Sequence, residues 1–179
     1  ETELLVEWTI EVAPQGGAVM AWGTGSGAIA LALADERPDL AITAVDRSAE
    51  ALAVARSNDH GGTVEWLVSD GFAELAGRRF AVIAANPPYL SDDDLAAVAP
   101  ELGFEPRGAL VSGPTGLEAL QAIATEAPGH LAAGGWLLAE VGAGQAQQVF
   151  ELWRTAGFVE VAARQDLAAI PRVVGGRRA

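Results

Sequence analysis

The sequence contains no cysteine and only two histidines, His60 and His130, among its 179 residues. A chain without cysteine has no disulfide, no thiolate zinc site and no cysteine nucleophile. Two histidines are also too few for a histidine-based metal cluster, because such sites combine several ligands. The composition therefore predicts a protein that holds no metal.

Basic residues are scarce as well, with 11 Lys and Arg against 24 Asp and Glu and a formal net charge of −13 at pH 7. Proteins that grip a phosphate backbone normally present a basic face. Most of this surface would instead repel a nucleic acid. The charge makes DNA or RNA an unfavourable partner without excluding either.

Long hydrophobic runs are missing too, since no apolar stretch approaches the ~18 residues that a membrane-spanning helix needs. We expect a cytoplasmic protein that contacts no membrane and acts as a monomer. A length of 179 residues suits a single α/β domain over 1–179. Because the chain starts at Glu1 rather than Met, we expect it to be a piece of a longer protein.

Apolar, strand-like segments alternate with Ala- and Leu-rich, helix-like segments along the chain. The predicted strands are 17–22, 40–46, 63–70, 79–86, 135–142, 159–167 and 171–178, and the predicted helices are 28–36, 48–59, a long one within 115–134, and 142–158. Strands that are apolar throughout are typical of a parallel sheet covered by helices on both faces. The longest irregular stretch, 90–108, is expected to be functional, as long loops in compact α/β domains usually are.

Four groups of candidate ligand-binding residues follow directly on predicted strands. They are the glycine turn 23–27 after the first strand, Asp46 after the second, Asp70 after the third and Asn86 after the fourth. In a doubly wound sheet, ligands bind beyond the carboxyl ends of the strands, where the strand order reverses. We therefore expect these four groups to converge.

The glycine turn predicts a cofactor site, although the pattern is not specific. Gly23, Thr24, Gly25 and Gly27 allow the backbone to approach a ligand at a helix N-terminus, and a tight strand-to-helix turn is the alternative interpretation. Asp46 lies about 20 residues further on, where an acid can accept from ribose hydroxyls. This pattern suits NAD and S-adenosylmethionine equally, and Asp46 could also be an ordinary helix-capping acid.

Asp70, Gly71 and Phe72 form the corresponding group after the third strand. A carboxylate can accept from the amino group of adenine, and an aromatic ring can stack on its flat face. We predict this pair of roles for Asp70 and Phe72.

The segment Asn86-Pro87-Pro88-Tyr89 decides between the two cofactors. The side-chain oxygen of Asn86 and the carbonyl of Pro87 can accept both N–H groups of a planar NH2 and hold its nitrogen in line with an electrophilic methyl group. The two prolines fix this geometry, and Tyr89 can stack on the flat substrate. A nicotinamide enzyme has no use for such an arrangement, whereas a rigid surface turn is the remaining structural alternative.

Five segments, in this order and spacing, resemble the release factor glutamine methyltransferases (the HemK/PrmC family): GTGSGAIALALA, AVDRSAEALAVARSN, ANPPYL, EPRGALVSGPTGLEAL and VVGGRR. The resemblance implies a class I, Rossmann-like methyltransferase fold whose seven-stranded, mostly parallel sheet ends in an antiparallel strand. It implies S-adenosylmethionine as methyl donor. It also implies methylation of the side-chain amide nitrogen of glutamine in the Gly-Gly-Gln loop of peptide-chain release factors.

The resemblance further implies an N-terminal helical domain, and we expect the first helix, 1–13, to be the remnant of a connection to it. Members also carry residues like Thr2 and Glu3 near the active site, although both are ordinary first-turn helix residues. Glu105 and Arg107 are predicted to line the substrate site or to pair with each other. Glu140, after the fifth strand, could face the cofactor cleft, but a solvated or capping role is favoured.

The chain departs from the family at Ala21-Trp22, where members have an acid two residues before the first glycine. Losing a charged hydrogen-bond partner for the donor costs about 1.5–3 kcal/mol, and Trp22 risks overpacking. Two other functions stay open. The resemblance of Asn-Pro-Pro-Tyr alone extends to amino-methyltransferases for adenine or guanine in nucleic acid, and Ala21-Trp22 leaves open a weakened or inactive cofactor-binding homologue.

Overall fold

The computed structural model describes residues 1–94 and 106–179. Its strands are β1 (Ala18–Trp22), β2 (Ala41–Asp46), β3 (Val64–Val68), β4 (Phe80–Ala85), β5 (Leu90–Ser91), β6 (Val111–Gly113), β7 (Leu131–Glu140), β8 (Phe158–Gln165) and β9 (Pro171–Arg178). Its helices are α1 (Thr2–Val12), α2 (Ala28–Glu36), α3 (Ala49–Asn58), α4 (Arg107–Leu110), α5 (Glu118–His130) and α6 (Ala146–Thr155).

Seven of the strands form one sheet in the order β3-β2-β1-β4-β7-β9-β8. The pairs from β3 to β7 are parallel, and β9 runs antiparallel to both of its neighbours. The predicted seven-stranded, mostly parallel sheet with an antiparallel last strand is confirmed. Since β1 lies between β2 and β4, the strand order reverses at β1, which is where a ligand is expected.

The sheet is covered by an apolar core on each face. Along β1, Val19 and Ala21 belong to the core under α1 and α2, whereas Met20 belongs to the core under α5 and α6. Side chains of successive strand residues point to opposite faces, so a strand buried on both faces must be apolar at every position. This is the physical reason for the unbroken apolar segments in the sequence.

Helix α1 is part of this cover rather than a loose extension. Leu5 is fully buried and Trp8 is 5 % exposed. The indole of Trp8 lies so close to Gly175 on β9 that a Cβ there would stand 2.6 Å from Trp8 Cη2. Gly175, the first glycine of the VVGGRR segment, thus leaves room for Trp8 of α1. The interpretation of 1–13 as a connection to a further domain stays a prediction.

Two boundaries differ from the sequence-based expectation. Strand β7 begins at Leu131, directly after α5, where Leu131 pairs with Phe80 of β4, whereas the predicted strand begins at residue 135. The irregular stretch 90–108 contributes β5, which pairs with β6 in a short parallel ladder. Both differences arise from pairings between segments far apart in the chain, which local patterns do not report.

Candidate active site

The register of the central strands brings the predicted site residues together. Trp22 at the end of β1 pairs with Val45 on one side and with Ala85 on the other. Ala85 in turn pairs with Ala139 on β7. Neighbouring strands lie about 4.8 Å apart, so the glycine turn, Asp46, Asn86 and Glu140 leave the sheet side by side. Asp46 also pairs with Val68 on β3, which places Asp70 just beyond the end of that neighbouring strand. The four predicted groups thus follow neighbouring strand ends at the reversal of strand order, and their contacts with a ligand stay a prediction.

The glycine turn after β1 adopts the left-handed backbone that glycine tolerates best. Gly25 has φ +55° and Gly27 has φ +89°. A Cβ on Gly27 would also stand 2.8 Å from Cη2 of Trp66. The turn can therefore pass tightly from β1 into α2 and leave backbone N–H groups at the start of that helix, a site that favours anionic or polar ligand groups.

Asp46 holds this turn in place. Its Oδ2 accepts the N–H of Gly25 at 2.8 Å, and its Oδ1 accepts the N–H of Ser48 at 2.9 Å. Ser48 caps α3 through the N–H of Ala51, at 3.1 Å from its Oγ. A carboxylate has about four acceptor positions, so Asp46 ties β2 to the glycine turn and keeps lone pairs for a ligand.

Two buried polar atoms flank the first glycine without a hydrogen-bond partner among the described residues. They are Oγ1 of Thr24 and Nε1 of Trp22. The indole of Trp22 lies 3.7 Å from where a Cβ of Gly71 would be, which is an ordinary van der Waals distance, so the large ring fits beside the turn after β3. Leaving a buried donor unpaired costs about 1–3 kcal/mol. Both atoms fit a site that is completed by a polar ligand.

The group after β3 corrects one prediction. Asp70 is exposed at the strand end, as expected. Phe72, however, is only 3 % exposed and stacks on the imidazole of His130, with 4.8 Å between ring centroids. Its ring packs in the core below α5 and is not placed to stack on adenine. Because the Phe72 side chain is buried against His130, only the backbone of Gly71 and Phe72 is left to contact adenine.

Asn86 follows β4 and is half-buried, with Pro87 buried behind it. Nδ2 of Asn86 donates to Oγ1 of Thr2 at 3.3 Å. The Thr2 hydroxyl donates to Oε2 of Glu140 at 2.8 Å. Helix α1 and strand β7 thus meet at the side chain of Asn86 and hold it from one side.

Glu140 is 4 % exposed, and the expected solvated or capping role is wrong. Burial raises the pKa of its carboxyl above the ordinary value, and the hydrogen bond from Thr2 opposes that effect. Burial also raises the pKa of the Tyr89 hydroxyl, with the negative charge of Glu140 adding to the shift. The site thus contains a buried carboxyl group at a position where the sequence favoured a solvated one.

Tyr89 is held by residues that sequence reasoning missed. Its carbonyl accepts from Nε2 of Gln145 at 2.9 Å, and Oε1 of Gln145 accepts the N–H of Gly142 at 2.9 Å. A Cβ on Gly142 would stand 3.1 Å from Cδ2 of the Tyr89 ring, and one on Gly116 would stand 2.6 Å from the Tyr89 carbonyl. The glycines allow this close approach, so the conformation of the Asn-Pro-Pro-Tyr segment depends on Gln145 as well as on its prolines.

Glu105 and Arg107 are the remaining residues predicted to line the substrate site. Glu105 lies outside the described residues. Arg107 begins α4, is two-thirds exposed and pairs with Asp92 at 2.5 Å. Nearby, Nη2 of Arg47, next to Asp46, donates to the carbonyl of Gly108 at 3.2 Å. The side chain of Arg107 therefore has an acidic partner already, and its contact with a substrate stays a prediction.

Residues 1–94 and 106–179 contain neither a metal cluster nor a membrane-spanning helix. No cluster of three or more His, Asp or Glu there could hold a metal ion. No helix in these ranges is long and apolar enough to cross a bilayer.

Comparison with known proteins gives consistent matches. The family model of the methyltransferase small domain matches residues 1–114. The release factor glutamine methyltransferase of Geobacter sulfurreducens is 41 % identical over 180 residues, which cover 99 % of this chain and 63 % of the relative. That of Xylella fastidiosa is 45 % identical over 182 residues, covering 99 % and 66 %. The chain thus spans about two thirds of the length of these curated relatives.

Among solved structures, the release-factor-specific protein-(glutamine-N5) methyltransferase of Alicyclobacillus acidocaldarius matches with a TM-score of 0.62 and 31 % identity. The match covers 99 % of this chain and 91 % of that one. Sequence, fold and the strand-end residues agree in their assignment, and the chain belongs to the family of release factor glutamine methyltransferases, with a methyltransferase small domain.

Proposed function

We propose that this chain transfers a methyl group from S-adenosylmethionine to the side-chain amide nitrogen of glutamine in the Gly-Gly-Gln loop of peptide-chain release factors. The observation that carries this proposal is the position of Asn86 at the reversal of strand order, with its NH2 group engaged by Thr2. The names of the curated relatives support the choice of substrate.

The groups at the strand ends fit S-adenosylmethionine. Its ribose hydroxyls need acceptors, and Asp46 keeps lone pairs beyond the two N–H groups it already accepts. Thr24 has a buried hydroxyl that a polar ligand beside the glycine turn would satisfy. Asp70 is exposed and free to accept from the adenine amino group, beside the backbone of Gly71 and Phe72. These residues, with Gly23, Gly25 and Gly27, would hold the donor.

When bound, S-adenosylmethionine supplies the methyl group, and its sulfur keeps the electron pair of the broken S–C bond. The protein positions the acceptor. Oδ1 of Asn86 and the carbonyl of Pro87 accept the two N–H groups of the substrate amide, so that the lone pair of the nitrogen faces the methyl carbon. Tyr89 packs on the flat amide. The nitrogen then forms the new N–C bond and loses one proton to solvent, so no side chain has to act as a base. Positioning can supply several kcal/mol of the barrier reduction.

Transfer of a labelled methyl group to three acceptors tests the proposal. The chain is incubated with labelled donor and a release factor, duplex DNA or ribosomal RNA in separate reactions. We expect label in the release factor, and none after the glutamine of its Gly-Gly-Gln loop is replaced by alanine. Label in DNA or RNA instead would favour the nucleic acid amino-methyltransferase, which the net charge of −13 disfavours.

A weakened form of the same function is favoured by Ala21. Its side chain is fully buried in the core on the α1 and α2 face, between Ala44 and Ala84 on the adjacent strands. The acid that family members carry there is missing, so donor binding is expected to be weaker. Thermal shift with and without donor tests this point for the Ala21→Asp variant. A larger donor-induced shift than in the parent supports it, whereas undetectable donor binding in both proteins favours a homologue that has lost catalysis.

We also propose that the protein works as a monomer in the cytoplasm, where release factors act. Among the described residues, the large apolar side chains that are exposed lie on α3, β3 and β8 and in the turn after β8: Val54, Val68, Val159 and Leu167. Scattered apolar side chains do not form an interface patch. Light scattering of the purified chain measures the oligomeric state directly.

A further inference from the structure

Three side chains from distant parts of the sequence form one hydrogen-bonded chain at the site. Nδ2 of Asn86 donates to Oγ1 of Thr2 at 3.3 Å, and Oγ1 of Thr2 is 2.8 Å from Oε2 of Glu140. Thr2 starts α1, Asn86 follows β4 and Glu140 ends β7. No hydrogen bond from a described residue reaches Oδ1 of Asn86.

The chemistry of the three groups sets the direction of these hydrogen bonds. An ionised carboxylate can only accept, so the single hydroxyl proton of Thr2 must point to Glu140. The lone pairs of Oγ1 then face Asn86, and only the NH2 edge of that amide can meet them. The carbonyl edge of Asn86 consequently faces the cleft, where an acceptor is required.

We propose that Thr2 and ionised Glu140 are positioning residues that determine which edge of the Asn86 amide is presented to the substrate. The proposal rests on the proposed function, in which Oδ1 of Asn86 accepts an N–H of the substrate amide. Glu140 fixes the direction in which the Thr2 hydroxyl donates, and Thr2 in turn fixes which edge of the Asn86 amide faces it. Neither residue touches the reacting atoms.

Protonation of Glu140 removes the constraint. A protonated carboxyl can donate to Oγ1 of Thr2, and the Thr2 hydroxyl is then free to donate to Asn86. The amide can rotate by half a turn and present its NH2 edge to the substrate NH2, so that donors face donors. Substrate positioning is lost although no contact has been removed.

The charged and titratable groups around Glu140 come from three elements. Glu1, before α1, brings a carboxylate, Arg172 on β9 brings a guanidinium, and Tyr89 brings its hydroxyl. Arg172 is shared between Glu1, at 3.0 Å, and Asp166, at 2.8 Å. Burial remains the largest influence and raises the pKa of Glu140. The orientation of Asn86 is therefore expected to change at a pH above the ordinary range for a glutamate.

Side-chain amide NMR observes this orientation without any substrate. The chain has only two asparagines, Asn58 and Asn86, so ¹⁵N-asparagine labelling gives two NH2 signals, and Asn58→Ser assigns them. Asn58 is exposed and serves as an internal control for folding. We expect the Asn86 signal alone to shift as the pH passes through the pKa of Glu140.

Three variants test the hydrogen-bonded chain. The pH-dependent shift should disappear in Glu140→Gln and in Thr2→Val and should be retained in Thr2→Ser. Thr125→Val on α5 and Glu11→Gln at the far end of α1 are matched controls, because both side chains are exposed. A shift that persists unchanged in Glu140→Gln, or that is absent from the parent, overturns the proposal.

Methyl transfer to a release factor gives the second readout. Glu140→Gln and Thr2→Val should lower kcat by on the order of tenfold to a hundredfold, with donor affinity unchanged and recovery in Thr2→Ser. If the parent transfers no methyl group to the release factor while the NMR pattern holds, the hydrogen-bonded chain is supported and the proposed substrate is wrong. Unchanged kcat in both variants, in a parent that does transfer, contradicts the positioning role.

Discussion

The side chain of Asn86 is oriented by residues that lie far from it in the sequence. Thr2 is 84 positions away, and the partner of Thr2, Glu140, is 138 positions from it. The sequence predicts Asn86 as a site residue because two prolines hold the Asn-Pro-Pro-Tyr segment rigid at the end of a strand. It did not predict the burial of Glu140, because an acid after a strand is usually solvated. It also assigned Phe72 to the ligand, whereas the ring lies in the core against His130.

Replacing Glu140 by glutamine is predicted to stabilise the protein at neutral pH. The pKa of Glu140 is raised in the folded state, so its contribution to stability is present below the unfolded pKa and is lost as the pH rises through the folded pKa. A glutamine carries no charge at any pH. We expect Tm to rise at pH 7 by a few degrees, since about 1 kcal/mol shifts a domain of this size by roughly 2–4 °C.

This gain should shrink as the pH falls and vanish below about pH 4, where the carboxyl is protonated in both states. Calorimetric scans of both proteins between pH 4 and 8 measure the effect. A lower Tm for Glu140→Gln across that range would mean that the ionised carboxylate stabilises the fold.

At the scale of elements, the hydrophobic pattern and the turn residues are sufficient to predict most of the strands and helices. Ser48, a residue type that favours the position before a helix, caps α3, and its Oγ accepts from the N–H of Ala51 at 3.1 Å. The early start of β7 at Leu131 and the β5–β6 ladder were missed. Both depend on which distant segment is available for pairing, and an isolated window of sequence does not contain that information.

The contact between α1 and β9 predicts a steric effect at Gly175. In Gly175→Ala, the new Cβ would stand 2.6 Å from Trp8 Cη2 and 2.7 Å from Leu138 Cδ2. Overpacking of this kind typically costs 1–3 kcal/mol, so urea unfolding should show a lower midpoint. Gly129→Ala in α5 is the matched control, because no atom lies within 4 Å of its Cβ position. The control should be neutral or slightly stabilising, and equal stability of the two variants would refute the packing argument.

Gln145, before α6, is predicted to affect catalysis through the backbone of Tyr89. Gln145→Ala removes the hydrogen bonds that join Tyr89 to Gly142. Because small displacements of a positioned group can cost up to a hundredfold in rate, we expect a roughly tenfold lower kcat with donor affinity unchanged. Gln147→Ala removes a similar side chain from the exposed side of α6, where it bonds only Glu151. Equal kcat values for the two variants would show that the prolines alone hold the segment.

At the scale of the whole molecule, the order of strands sets where the candidate site lies, and the net charge affects how stability responds to salt. Fold class and the position of the site followed from alternating apolar strands and helices together with the residues at strand ends, since parallel strands bring their carboxyl ends to one edge. The excess of 24 acidic over 11 basic residues has a second consequence. Eight ion pairs are present in the described ranges, and most of them are partly exposed, so each contributes little to stability and little is lost when salt screens it.

Self-repulsion of a chain with net charge −13 should therefore outweigh the loss of surface ion pairs when salt is added. We expect Tm to increase between low salt and about 0.3 M NaCl, as the screening length falls below 10 Å. Thermal scans with NaCl and with KCl separate screening from specific ion binding. A steady fall of Tm with salt would indicate that the ion pairs dominate.

The central claim is that Asn86 positions the substrate amide and that no base is needed. Mass spectrometry of the Gly-Gly-Gln peptide, after incubation of a release factor with donor and either the parent or Asn86→Ala, tests it most directly, with donor binding of both proteins measured by calorimetry. We expect one added methyl group on the glutamine with the parent and none with Asn86→Ala, although both bind the donor. Equal methylation by the two proteins would contradict it.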